Sequence, residues 1–380
     1  MIQKAITINS TLHKNNNLAG LDLLRALAIS LVFLFHYPNL TYSKWIYTIK
    51  EFGWTGVDLF FVLSGYLIAK QLFSDVNKKR KISLKVFFIK RSFRILPAYL
   101  FIVAVYFCIP LFRERESLPL LWKFLTFTQN IGLDPSKFGT FSHAWSLCIE
   151  EQFYLIFPLI IATLLYLKAE KKGFYIIIIL FLFTWLIRLV IWNKYIIPLE
   201  EADSNTTNFW VTWLYYPTYT RLDGLLTGIS IAGIFEFFPK IKERLTKYGN
   251  LHILIGLIIL IGSYFLCVDR VSFSANIWGF PIVALSYGVL VIAALSPTSL
   301  LYKFRSAVIS NLAILSYSIY LSHKGIIHLC QSYFSNHGIA KESGFMFFIC
   351  AIFSIITALI MRYTIEKPFL KIRDRIIREF

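Results

Sequence analysis

Apolar runs of membrane-spanning length recur along all 380 residues, separated by polar or basic stretches. A helix that crosses a bilayer core needs about 20 mainly apolar residues. The pattern predicts ten such helices, at 18–37, 54–73, 94–112, 146–167, 174–194, 214–237, 250–267, 277–296, 309–330 and 344–363. The third opens in a basic segment, and the fourth carries Trp145, Ser146 and Glu150 in its first turns. The expected architecture is an all-α polytopic membrane protein of about ten transmembrane helices. Segment 1–17 is polar and reads as a cytoplasmic N-terminal stretch, since the first apolar run leads straight into polar residues of functional type. Residues 368–380 read as a basic cytoplasmic tail, with Pro368 expected to stop the last helix.

With 57% hydrophobic residues and a mean hydropathy of +0.62, there is no room for a large soluble domain. The net charge of +18 changes the picture only through its distribution. With the N-terminus inside, the inner loops hold Lys78–Lys81, Lys85, Lys90, Arg91 and Arg94, then Lys168, Lys171 and Lys172. They also hold Lys240, Lys242, Arg244, Lys247, Lys303 and Arg305, and the tail adds Arg362, Lys367, Lys371, Arg373, Arg375 and Arg378. The opposite loops are poorer in Lys and Arg, and one carries Glu200, Glu201 and Asp203. The positive-inside bias then places both termini in the cytoplasm. The charge reports topology and contact with membrane lipids, so no nucleic-acid partner is inferred. The five cysteines have no paired spacing and predict neither a metal site nor a disulfide framework.

Arg25 and His36 lie eleven residues apart within the first apolar run. At about 100° per residue they share one helix face, and at about 1.5 Å rise they stand about 16 Å apart along it. Ionisable groups inside a span are costly, so a functional role is the default reading. The stretch Gly53–Ile68 adds Asp58, Ser64 and three glycines, which suit close helix packing. Arg91 and Arg94, three residues apart at the membrane re-entry, suit either a phosphate-rich ligand or surface anchoring.

These blocks together resemble the acyltransferase-3 family of membrane O-acyltransferases. The resemblance rests on Leu21-Asp22-Leu23-Leu24-Arg25-Ala26 through His36, on Gly56–Tyr66, and on Arg91-Ser92-Phe93-Arg94-Ile95-Leu96-Pro97. It continues through His143–Tyr154, Arg221-Leu222-Asp223-Gly224, Ser316–His323 and Glu366-Lys367-Pro368-Phe369, in the family's order over about 18–372. Lys324 departs from the bulky apolar residue expected after the histidine. The acyltransferase domain is expected over 18–367, without the periplasmic hydrolase-like domain of some relatives.

The resemblance implies transfer of an acyl group, most commonly acetyl, from cytoplasmic acyl-CoA to a hydroxyl of a cell-surface glycan or a lipid-linked glycan precursor. It implies a multi-pass protein of the bacterial cytoplasmic (inner) membrane, with acetyl-CoA or another acyl-CoA as donor and no metal. Arg91, Arg94 and Arg25 are then the donor-binding candidates. Arg25 also suits an oxyanion, and His36 suits either a general base or a transient acyl carrier. Glu150 is expected to orient His36 or to neutralise an arginine. Asp58, Ser146, Tyr154, Arg221, Asp223 and His323 are supporting candidates. Arg221 and Asp223 are expected to pair with each other's neighbours or to serve packing beside Gly224 and Gly228. Loop 113–144, with Arg113, Arg115, Trp122, Lys123 and Phe138, is long enough to shape an acceptor groove. O-antigen, capsule, exopolysaccharide, peptidoglycan and small hydrophobic acceptors all suit the family. The competing class is a secondary transporter or flippase, in which buried ionisable residues mark a pathway.

Overall fold

The computed structural model describes residues 19–38, 44–79, 82–169, 172–202 and 206–378, and among these there is no strand. The N-terminal stretch 1–17 lies outside the described residues, as do Arg80, Lys81, Lys171 and Asp203 of the charge pattern. The long helices are α1 (Ala19–His36), α2 (Thr55–Lys79), α3 (Leu84–Cys108), α4 (Trp145–Tyr166), α5 (Gly173–Ile191) and α6 (Asp223–Phe237). They continue with α7 (Gly249–Leu266), α8 (Phe280–Leu295), α9 (Ala307–Ser335), α10 (Gly344–Met361) and α11 (Lys367–Arg378).

Each of the ten expected spans falls on one of these helices. Seven helical stretches among the described residues are long and apolar enough to cross a membrane, or eight if α6 and Pro239–Thr246, bent by 110°, make one span. The helices α3 and α9 match expected spans in position but fall outside that set. The reason is compositional: α3 opens with Lys85, Lys90, Arg91 and Arg94, while Ser310, Asn311, His323 and Lys324 interrupt α9.

Three boundaries depart from the sequence reading. First, α3 starts at Leu84 behind a Ser83 side chain that accepts from the Val86 amide, so Arg91 and Arg94 lie inside a helix, not in a loop. A serine cap satisfies an otherwise orphaned amide and so favours the earlier start. Second, the span expected at 214–237 is α-helical only over Asp223–Phe237. Ahead of it Val211–Tyr215 forms a π turn, and Pro217, which has no amide hydrogen, precedes a 3₁₀ turn at Thr218–Thr220. Third, Pro368 does not stop the chain. Helix continues through a π turn at Arg362–Glu366 into α11. A proline in the first turn of a helix loses no intrahelical bond, and the wide π turn absorbs the change in register. The basic tail is therefore an ordered helix as far as Arg378.

Small residues decide which helices touch most closely. A Cβ on Gly228 would stand 2.2 Å from the Val62 carbonyl oxygen, and one on Gly65 2.2 Å from that of Leu225. The glycines of α2 and α6 thus let two backbones meet without side chains between them, the packing expected for membrane helices. Next to that seam, α1 packs on α2 through Gly56, where a Cβ would lie 2.6 Å from the Ala28 carbonyl oxygen.

Candidate functional site

Two cavities lie toward opposite ends of α2. One is lined by Val57 and the other by Gln71. Those residues are fourteen apart in one helix, about 21 Å along its axis. The last residue of α1, His36, lines the first cavity. Arg25, earlier on α1, lies within electrostatic reach of Arg94 and Arg91, which line the second. One helix therefore carries Arg25 toward one cavity and His36 toward the other.

The cavity at His36 encloses about 220 Å³ and is walled by aromatic rings, including Trp54, Trp145, Trp210, Tyr215 and Tyr216. Three imidazoles meet at its edge. His36 Nδ1 lies 3.0 Å from His323 Nε2. The His143 ring centre is 5.8 Å from that of His36 and 4.9 Å from that of His323. Their partners assign the protons of the neutral rings. His323 Nδ1 faces the carbonyl oxygens of Ile319 at 3.0 Å and Tyr320 at 2.8 Å, which can only accept. It therefore donates, and Nε2 of the same ring offers a lone pair. His36 must donate to that lone pair from Nδ1, which leaves His36 Nε2 free to take a proton.

The backbone around this cluster is fixed by a short chain of polar contacts. Glu114 accepts from the Lys324 ammonium at 3.1 Å and from the Phe141 amide at 3.0 Å. Phe141, in the left-handed region at φ 54°, stacks on Tyr106 with ring centres 4.4 Å apart. The turn so held presses Ser142 and His143 against α9, where His143 Nε2 donates to the Tyr320 carbonyl at 3.1 Å. The Tyr320 hydroxyl donates to the His143 carbonyl at 2.6 Å and lies 2.6 Å from Ser146 Oγ. Ser146 thus supports the cluster through Tyr320. Lys324, which departs from the family pattern, is the anchor that ties loop 113–144 to α9.

The rest of that loop serves structure. Arg113 donates to the Tyr106 and Phe107 carbonyls at 2.7 and 2.8 Å and so closes the C-terminal end of α3. The loop reaches the cavity through Ser142 and His143, whereas Arg115, Trp122, Lys123 and Phe138 do not line it.

Glu150 sits on the arginine side. Its Oε2 accepts from the Tyr154 hydroxyl at 2.6 Å, and that hydroxyl lies 3.1 Å from Ser64 Oγ. Arg91 lies over the Tyr154 ring at 5.4 Å. Among the described residues no hydrogen bond joins Glu150 to His36, and Glu150 reaches the arginine side through Tyr154. Arg25 keeps a 3.4 Å contact with Asp22 and remains about one-fifth exposed. The cavity on this side, about 410 Å³, is lined by Lys90, Arg91 and Arg94, and also by Arg373 and Arg378 of α11.

The remaining candidates are brought into buried ion pairs. Arg221 holds Asp58 at 2.9 and 3.0 Å, with its guanidinium 4.1 Å from the centre of the Phe280 ring. Asp223 is held by Arg188 at 2.5 and 3.1 Å. Arg221 and Asp223 thus pair with neighbours on other helices. Such pairs, shielded from water, are strongly destabilising to break.

Sequence reasoning overlooked Arg188, an isolated cation in an apolar run, and gave His143 no role although it opens the Trp145–Tyr154 block. It also left Arg373 and Arg378 as generic tail charges. Among the described residues no group of three or more His, Cys, Asp and Glu is arranged to hold a metal ion.

Comparison with known proteins shows the family. The acyltransferase-domain model of the acyltransferase-3 family matches residues 18–363. O-acetyltransferase OatA of Staphylococcus aureus strains NCTC 8325, COL and MRSA252 is 30% identical over 340 residues, covering 83% of this chain and 52% of the relative. The chain thus spans about half the length of these relatives. No solved structure matches. With the family match running from the start of α1 to the π turn after α10, this multi-pass membrane chain belongs to the acyltransferase-3 family.

Proposed function

We propose that this protein carries an acyl group, most commonly acetyl, from cytoplasmic acyl-CoA to a hydroxyl of a cell-surface glycan or its lipid-linked precursor. In this reading α1–α10 all cross a bacterial cytoplasmic membrane and both termini are cytoplasmic. The arginine cavity then opens inward and the histidine cavity outward. The observation that carries the reading is that one helix bears His36 at the edge of the histidine cavity and Arg25 within electrostatic reach of the arginines that line the other.

Phosphate oxygens of the donor suit Arg91 and Arg94, whose guanidinium forks bind them in pairs. The extended arm of the donor would follow α1 past Arg25 toward His36. His36 Nε2 removes the proton from the acceptor hydroxyl as its oxygen attacks the thioester carbonyl. The tetrahedral oxyanion then collapses, an ester forms, the carbon–sulfur bond breaks, and the thiolate of the donor leaves and takes up a proton. Arg25, about 16 Å from His36 along α1, is too far to touch the reacting carbonyl and serves the passage of the donor arm from the arginine side. His323 fixes the tautomer of His36 and is a positioning residue. The aromatic wall of the outer cavity suits stacking on a sugar ring. Tyr154, which donates to Glu150, packs its ring against Arg91, while the pairs Arg221–Asp58 and Arg188–Asp223 hold the helices.

The test is thioester consumption from acetyl-CoA by membranes carrying the wild type, His36→Ala or Arg25→Ala, with glycan O-acetyl content read in parallel. The proposal expects both signals in wild type and neither in the two variants at equal membrane levels. Thioester left intact with every glycan offered would sink it in favour of a transporter. Activity retained in His36→Ala would remove the base assignment.

A further inference from the structure

The arginine cavity collects more positive charge than α3 provides. Lys90, Arg91 and Arg94 line it from α3, and Arg373 and Arg378 from α11, against the single carboxylate of Asp374. Asp374 is already engaged by Arg373, at 2.9 Å from Nε and 2.7 Å from Nη2. Like charges gathered around one cavity repel, so five cations with one occupied carboxylate lower stability in the empty state. A cavity of about 410 Å³ with that balance is shaped for a polyanion.

The position of α11 is not that of a loose tail. Glu366, buried just before it, accepts from Ser318 of α9 and from Arg362 at 2.7 Å. Phe369 in its first turn faces Phe93 of α3 with ring centres 6.4 Å apart. Those two anchors aim Arg373, one helical turn past Phe369, at the Arg91 and Arg94 side of α3.

Resting on the donor reading above, we propose that α11 is the second jaw of the donor site: Arg373 and Arg378 bind the phosphates of the nucleotide end of acyl-CoA together with Lys90, Arg91 and Arg94. Lys371 and Arg375 on the same helix do not line the cavity and serve the membrane surface. Asp374 tempers the site by occupying Arg373 until the donor arrives.

The test uses the full-length protein in nanodiscs of phosphatidylcholine, with binding of CoA and of pantetheine measured calorimetrically. Pantetheine carries the same arm without the nucleotide phosphates. The double variant Arg373→Gln/Arg378→Gln is expected to weaken CoA binding about tenfold, the scale of lost charge-assisted hydrogen bonds, and to leave pantetheine unchanged. The control Lys371→Gln/Arg375→Gln is expected to bind CoA as wild type does. Asp374→Asn is expected to bind CoA more tightly, an opposite sign that misfolding cannot mimic. Unchanged CoA binding in the Arg373/Arg378 variant overturns the proposal, and so does equal weakening in the control. If the variant loses binding only when anionic lipid is present, the cations serve headgroups and the proposal falls. Wild type that binds no CoA at all sinks the donor reading with it.

Discussion

The two cavities solve opposite problems. At the His36 end every imidazole is locked, with His323 and His143 both donating to backbone carbonyls and His36 donating to His323. At the Arg91 end the cations line an open cavity and outnumber their counter-ions. Fixed partners suit proton transfer, which needs one nitrogen in one tautomer at one place. Unfilled charge suits capture of a flexible polyanion, which brings its own oxygens. The difference teaches that ionisable residues in a membrane protein are read best by what already holds them. Groups fixed by one hydrogen bond position or react, and groups that outnumber their counter-ions await a ligand.

That contrast can be broken by experiment. The largest effect is expected from His36→Ala, which should lower turnover by about a hundredfold or more, the scale of lost general-base catalysis. CoA affinity, measured separately, should stay at the wild-type level. Weakened CoA binding in this variant would dissolve the division between the cavities.

Asp58→Ala should cost about 3–5 kcal/mol of stability by leaving Arg221 buried without its carboxylate. A lowered unfolding midpoint in detergent would report it, and a wild-type midpoint would return Asp58 to a direct role in chemistry. His323→Ala should lower kcat about tenfold, since the free tautomer of His36 wastes part of the population, with the donor KM unchanged. Rescue by a residue that offers one acceptor atom, such as Gln, would mark positioning rather than packing. Arg91→Ala should raise the donor KM severalfold to tenfold with little change in kcat. A fall in kcat instead would place Arg91 near the reacting atoms. The smallest effect is expected from Trp122→Ala, an exposed side chain away from both cavities, with stability and activity within assay error.

Much of this was legible from periodicity. Arg25 and His36 share α1 because eleven residues nearly complete three turns, and local geometry needs no tertiary partner to say so. The reading of Gly224 and Gly228 as a packing stripe also follows from spacing, and their close approach to α2 agrees with it. The approach of His143 to His36 was not legible, because it depends on the 36-residue connection 109–144 folded back through Glu114 and Lys324. A salt bridge between a loop and a distant helix leaves no periodic trace. Glu150 shows the same limit from the other side. Its helix is evident, but which of two sites that helix faces depends on rotation about its axis.

The sequence by itself determined the chemistry available and the class of protein. Apolar runs of bilayer length force helices, since backbone groups in lipid must pair within the segment. The order of polar blocks names the family. Tertiary structure alone decided the partners: His323 as the proton-fixing neighbour of His36, Arg188 as the counter-ion of Asp223, and α11 folded back over Arg91 and Arg94. The physical reason is that helix formation is local, whereas the pairing of buried polar groups is settled between helices far apart in the chain. There each charge takes whichever partner the packing of small residues brings within reach.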